Sequence, residues 1–135
     1  MENKQEFWGE VIFAYTRKQA IADGVLVDLM QGELGELVKE AGFRYPIAMT
    51  AEAFAEYVDL TPAAKKAGCN LKGRLWDVLT MLHWAIKRAS DTNELIFKFY
   101  AVTDRPKPRL CRLKSVVGPG DQGEPVITIM LVNQD

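Results

Sequence analysis

Apolar side chains recur every three or four residues between positions 71 and 89, which is the spacing of one face of an α-helix. The stripe consists of Leu71, Leu75, Val78, Leu82, Ala85 and Ala89. Leu79 and Ile86 widen it, and because so broad a face exceeds a coiled-coil seam, other elements must cover it. The pattern therefore predicts a long helix at the centre of one core.

Before this helix, short helical and extended segments alternate. Helices are predicted over residues 17–23, 33–41, 51–58 and 62–67. Short extended segments are predicted over residues 11–15, 25–28 and 45–49. Thr16 and Gln19 have the spacing of a capping box, and Thr61 followed by Pro62 is a cap followed by proline at the first helical position. The first half is therefore expected to consist of small helices joined by short strands.

After the long helix the period changes from that of a helix to that of a strand. Strands are predicted over residues 94–102, 109–117 and 126–132. We expect a single α+β domain, residues 1–135, with several short N-terminal helices and a long central helix packed on a C-terminal antiparallel three-stranded meander. A strand from the first half is a further candidate for this sheet.

Composition is typical of a folded, soluble protein. The 135 residues are 48% hydrophobic and 26% charged, and no apolar run reaches the length needed to span a bilayer. The opening residues do not form a signal peptide, so a cytoplasmic location is expected. Cys69 and Cys111 are far apart in sequence and belong to no metal-ligand motif, so neither a disulfide framework, a metal site nor a cofactor is predicted.

Charge is distributed unevenly along the chain. Residues 1–60 carry 5 Lys/Arg against 11 Asp/Glu, whereas residues 61–135 carry 12 against 7. Five cations gather on the predicted hairpin: Arg105, Lys107, Arg109, Arg112 and Lys114. Arg112 and Lys114 should project from the same strand face into solvent, beside Lys98 and Tyr100 of the neighbouring strand. Such a surface suits phosphates and unstacked bases, although cations on hairpins also protect sheet edges from aggregation.

A dense loop over residues 118–125 follows this hairpin. Its glycines, Gly118, Gly120 and Gly123, allow backbone amides to converge on an anion, and Asp121 and Glu124 are candidate cation ligands or proton acceptors. The loop lacks the Gly-Lys-Ser/Thr of a phosphate-binding loop. The alternative interpretation, a rigid connection between two strands, is favoured.

An enzymatic alternative uses other residues. Tyr15, Arg17, Arg74 and Asp77 are candidates for a site that acts on a phosphate-containing substrate, provided that they converge in one cleft. His83, which is the only histidine, is interpreted as a partly buried side chain bonded to a backbone carbonyl, with catalysis as the alternative.

Side-chain pairs and aromatic residues suggest further contacts. On the long helix, Arg74 with Asp77 has the spacing of an ion pair, and Trp84 with Arg88 that of a cation–π contact. Phe7, Trp8 and Trp84 are candidate anchors of an oligomer.

Several motifs together resemble a family of small uncharacterised proteins encoded on bacterial plasmids and other mobile elements, often near antirestriction functions. The motifs lie at residues 15–17, 19–21, 23–28, 40–46, 73–79, 118–121 and 123–130. The resemblance implies a bacterial, cytoplasmic protein and brings no established activity or catalytic residues. The leading hypothesis is a binding module for a host protein or nucleic acid that uses the basic hairpin and the loop beside it. A small enzyme and a structural partner in an oligomer are the alternatives.

Overall fold

The computed structural model describes residues 15–89 and 92–135. In chain order its elements are α1 (Arg17–Ala22), β1 (Leu26–Asp28), α2 (Gly32–Glu40), β2 (Ile47–Thr50), α3 (Ala51–Tyr57), α4 (Pro62–Lys66), α5 (Leu71–Arg88), β3 (Glu94–Val102), β4 (Pro108–Pro119) and β5 (Pro125–Met130). Most of the extended segment predicted at residues 11–15, and the candidate anchors Phe7 and Trp8, lie outside the described residues. Within the described ranges, no helix is both long and apolar enough to cross a membrane.

Three of the short helices, α1, α3 and α4, begin at a threonine cap. The hydroxyl of Thr16 accepts from the backbone N–H of Gln19 at 3.0 Å, and the Gln19 side chain accepts from the backbone N–H of Thr16 at 3.0 Å. Thr50 and Thr61 accept in the same way from the N–H three residues on, at the starts of α3 and α4. Each cap satisfies a backbone donor that the first turn leaves unpaired. The predicted capping box of Thr16 and Gln19 and the predicted cap at Thr61 are confirmed.

The described strands form one five-stranded mixed sheet in the order β1-β2-β5-β4-β3. The α+β class is confirmed, and β3, β4 and β5 are joined antiparallel as predicted. The predicted count of three strands was wrong, because β2 pairs in parallel with β5 and β1 pairs antiparallel with β2. The expectation that a strand from the first half is a candidate for this sheet is confirmed. Parallel pairing joins segments about 80 residues apart, and no local pattern specifies it.

The core lies between α5 and the inner face of the sheet. Leu75, Leu79 and Leu82 of α5 are completely buried, and they pack with the buried side chains of Phe99, Leu113 and Ile129. Val38, Met49 and Val58 add side chains from the first half of the chain. The predicted central helix is therefore confirmed, and the short N-terminal elements complete its cover.

Candidate functional site

The β3–β4 hairpin separates apolar and polar side chains onto two faces. Cross-strand partners share a face, so Phe97 with Leu113 and Phe99 with Cys111 point together into the core. The intervening pairs point away from α5. Five of these side chains, Ile96, Lys98, Tyr100, Leu110 and Arg112, form what we call the outer hairpin face.

The outer hairpin face exposes large apolar groups next to cations. Tyr100 is 66% exposed, Leu110 53% and Ile96 52%. Lys98 and Arg112 are direct cross-strand partners, and both are exposed. Several large apolar side chains exposed on one sheet face make this face a candidate binding surface.

The five predicted cations do not share one surface. Arg105 and Lys107 are exposed in the turn between the strands. Arg109 is also exposed, but it lies three residues from Arg112 along β4, so the two side chains project from opposite faces of the sheet. Lys114 is only 8% exposed, and its ammonium group donates to the backbone carbonyl of Gln134. The expectation that Lys114 faces solvent with Arg112 was wrong, because the end of the chain covers this part of the sheet.

The loop between β4 and β5 is a tight turn. The N–H of Gly120 donates to the carbonyl of Glu124 at 2.6 Å, and the Glu124 carboxylate accepts from the N–H of Gln122 at 2.9 Å. A Cβ on Gly120 would lie 2.5 Å from the Glu124 carboxyl carbon, and Gly123 has a φ of +82°. Gly118 lies within β4 at the start of this turn. Because β4 is 12 residues long, roughly 35–40 Å separates the loop from the turn that carries Arg105.

Asp121 and Arg17 fasten α1 to the sheet. The Asp121 carboxylate accepts from the backbone N–H groups of Arg17 and Lys18 at 2.8 and 3.0 Å. The Arg17 guanidinium donates to the hydroxyl of Thr128 and the carbonyl of Ile127, both at 2.8 Å. Burial lowers the pKa of Arg17, and nearby carboxylates including Asp121 oppose that shift. These contacts occupy the Arg17 guanidinium, a candidate for the phosphate site, and the Asp121 carboxylate, a candidate cation ligand.

Tyr15 belongs to the same end of the molecule but not to this contact. Its exposed hydroxyl donates to the carboxylate of Asp23, and that hydrogen bond raises the pKa of Tyr15. The contact spans α1, because Tyr15 precedes the helix and Asp23 is its C-cap.

Arg74 is a buried connector on the other side of the core. It is 6% exposed, and its guanidinium donates to the carbonyls of Val58 at 3.2 Å, Val102 at 2.8 Å and Glu56 at 2.9 Å. The expected ion pair with Asp77 is not among the salt bridges of the described residues. Burial raises the pKa of Asp77. Arg74 and Asp77 line a pocket with Tyr57 and Cys69, whereas Arg17 lines another with Asp121 and Glu124, so the four candidate residues do not converge.

Two other predictions on α5 are corrected in detail. Lys87, rather than Arg88, places its ammonium 5.6 Å from the centre of the Trp84 ring, and Trp84 is 50% exposed. His83 is half-buried, and within the described ranges it makes no hydrogen bond to a backbone carbonyl. Its ring instead packs edge-on against Phe43, with centroids 5.7 Å apart.

Sequence reasoning missed a pocket of about 430 Å³ beside His83, which we call the α5 pocket. It lies between the last turns of α5, the 42–45 segment, the start of β3 and the buried Ser115 of β4. Its walls come from separate segments, so no local motif marks it; the isolated His83 on an apolar helix was the only signal. Among the described residues, no three His, Cys, Asp or Glu side chains are placed to hold a metal ion.

Comparison with known proteins adds the family but no activity. No curated protein and no solved structure matches the chain. The model of one family, described as a family of unknown function (DUF6573), matches residues 3–135. Since the match covers nearly the whole chain, the protein belongs to this family of unknown function.

Proposed function

We propose that this protein is a binding module that takes single-stranded nucleic acid on its outer hairpin face. We further propose that it acts in the bacterial cytoplasm as an accessory protein of a mobile element, the setting that the motif resemblance implies. The main support for nucleic acid binding is one observation: the Tyr100 ring is 66% exposed on the same sheet face as Lys98 and Arg112.

The chemistry of this face suits a nucleic acid strand better than a protein. Unstacked bases pack on exposed aromatic rings, and neighbouring cations neutralise phosphates. Lys98 and Arg112 lie between the Tyr100–Leu110 pair and Ile96, in the middle of the face. The cores of protein interfaces are depleted in lysine, so Lys98 at that position favours a nucleic acid partner. The exposed cations of the turn, Arg105 and Lys107, extend the positive surface beyond Tyr100.

The proposal is tested with fluorescein-labelled dT and rU oligonucleotides in anisotropy titrations at several salt concentrations. Tyr100→Ser should weaken binding about tenfold or more with an unchanged salt slope, because it removes stacking and no charge. Arg112→Gln should lower the salt slope by about 0.7, the value for one phosphate contact on a single strand. Arg88→Gln removes an exposed cation from α5 and is the matched control.

Three outcomes would overturn the proposal: no binding at low salt, unchanged binding by both hairpin variants, or equal loss in the Arg88 control. Capture of a host protein that is lost in Tyr100→Ser but insensitive to nuclease would instead assign the face to a protein partner. We do not propose a phosphate-processing enzyme, because its candidate residues lie in two separate places.

A further inference from the structure

We propose that the α5 pocket is a binding site for a small organic anion with an apolar, preferably aromatic, body. The site is independent of the outer hairpin face, because it lies on the side of the sheet that α5 covers. Its volume of about 430 Å³ is within the range of small-molecule sites. Apolar and aromatic side chains, including Phe43, Ile86, Leu95 and Val117, supply most of the wall.

The charged side chains that line the pocket indicate the charge of its ligand. Among the described residues that line it, none carries a carboxylate, whereas Arg44 and His83 both line it. Arg44 is exposed, so its guanidinium can pair with an anionic group without being buried first. A cationic ligand would find no partner in the described lining. The guanidinium of Arg44 in the lining therefore favours an anionic ligand.

Two polar side chains inside the pocket have unused hydrogen-bonding capacity. Ser115 is 2% exposed, and its hydroxyl makes no hydrogen bond to any other residue in the described part of the chain. The same holds for both ring nitrogens of His83. Buried polar groups are nearly always paired, so the Ser115 hydroxyl points to a ligand that carries hydrogen-bonding oxygens, and the half-buried imidazole of His83 offers that ligand a second partner.

The position of His83 is set by its neighbours. Gly42 has a φ of +93°, and a Cβ there would lie 3.0 Å from Cε1 of the imidazole. The edge-on contact with Phe43 restrains the ring from another direction. A ring held in this way does not have to be ordered when a ligand binds, which favours affinity.

The test uses 1-naphthoate as the probe and 1-naphthylmethylamine as its cationic counterpart, followed by isothermal titration and by amide chemical shifts. Naphthoate should bind in a 1:1 ratio and shift amides of the 42–45 segment and of β4 near Ser115. The amine should bind at least tenfold more weakly. Arg44→Gln should weaken naphthoate about tenfold, and Ser115→Ala should weaken it by a smaller factor.

Two matched substitutions on α5 test whether the probe occupies this pocket. Ile86 and Met81 are 38% and 37% exposed on the same helix, but only Ile86 lines the pocket. Ile86→Trp should fill the pocket and abolish binding, whereas Met81→Trp should bind as the wild type does, with similar thermal stability of both variants. The proposal is overturned if naphthoate does not bind at millimolar concentration, if Ile86→Trp still binds it, or if the amine binds as tightly.

Discussion

At the scale of single residues, Arg74 shows how a charged side chain can serve the fold rather than a ligand. Its three acceptors are main-chain carbonyls from the end of α3, from Val58 beyond it and from the end of β3. One side chain on α5 therefore bonds both to the C-terminal end of α3 and to the end of β3. A bond from a charged donor to a neutral acceptor is stronger than a neutral pair, so the arrangement stabilises the core edge.

Replacing Arg74 by Met should lower the free energy of unfolding by about 3 kcal/mol, because buried carbonyls lose their donors. Urea unfolding followed by circular dichroism measures the change. The control is Arg88→Met on the same helix, an exposed site where the change should stay within about 0.5 kcal/mol. Equal stability of the two variants would show that the three carbonyl bonds contribute little.

The raised pKa of Tyr57 predicts that the free energy of unfolding declines at alkaline pH. Burial, assisted by the charge of Glu56, raises its pKa to about 12 from an ordinary value of 10. Between these values the folded protein keeps a proton that the unfolded chain releases. The stabilising contribution is therefore complete below pH 10 and is lost as the pH rises toward 12.

The measurement for Tyr57 is urea unfolding at pH 8, 10 and 11. The ring centroids of Tyr57 and Phe99 lie 5.2 Å apart. Tyr57→Phe should make the decline above pH 10 shallower, because it keeps this ring packing and removes only the ionisable hydroxyl. Tyr100→Phe removes an exposed hydroxyl and should retain the wild-type decline. A decline unchanged by Tyr57→Phe would contradict this assignment.

At the scale of elements, α1 depends on a residue far away in sequence. Asp121 accepts from the first two backbone N–H groups of this six-residue helix, which is too short to be stable alone. The dense glycine loop thus has a structural task, because its tight turn carries Asp121 to the start of α1. The capping box of Thr16 supplies a further acceptor locally.

Asp121→Ala should destabilise the protein by about 1 kcal/mol, the usual effect of losing a helix cap, and should speed amide exchange in α1 more than elsewhere. Hydrogen exchange by nuclear magnetic resonance detects both effects. Gln122→Ala changes a neighbouring exposed side chain of the same turn and should leave α1 unaffected. Uniform acceleration across all elements would mean that Asp121 acts on the whole fold instead.

The elements were largely predictable from sequence, because helix period, caps and strand alternation are local signals. Alternation along β3 separates the buried Phe97 and Phe99 from the exposed Lys98 and Tyr100, as the strand pattern at residues 94–102 requires. The environment of Lys114 was not predictable, because its cover comes from Gln134, 20 residues later. The same holds for Arg74, whose acceptors lie 16 to 28 residues away, and for the α5 pocket, whose walls come from separate segments.

At the scale of the whole molecule, the sheet joins the two halves of the chain through its middle. β5 pairs with β2 on one side and β4 on the other, so strands of the acidic first half and the basic second half belong to one hydrogen-bonded layer. Ile47 and Met49 of β2 pair with Ile127 and Ile129 of β5, and all four side chains enter the same core. Neither half can therefore bury its own apolar face alone.

Gln134 forms hydrogen bonds to both halves of the chain, so replacing it tests how far the stability of one half depends on the other. Its side-chain oxygen accepts from the hydroxyl of Thr50 at 2.8 Å and the N–H of Leu131 at 2.9 Å, and its amide donates to Glu52 at 3.1 Å. Gln134→Ala should lower the free energy of unfolding by about 1–2 kcal/mol. Asn133→Ala, at an exposed neighbour, should change it by less than about 0.5 kcal/mol.

Because the parallel strands unite both halves, tryptophan fluorescence and circular dichroism should report one coincident transition in both variants. Separate transitions would show that the halves unfold independently and that the central strand pair is weaker than its burial implies.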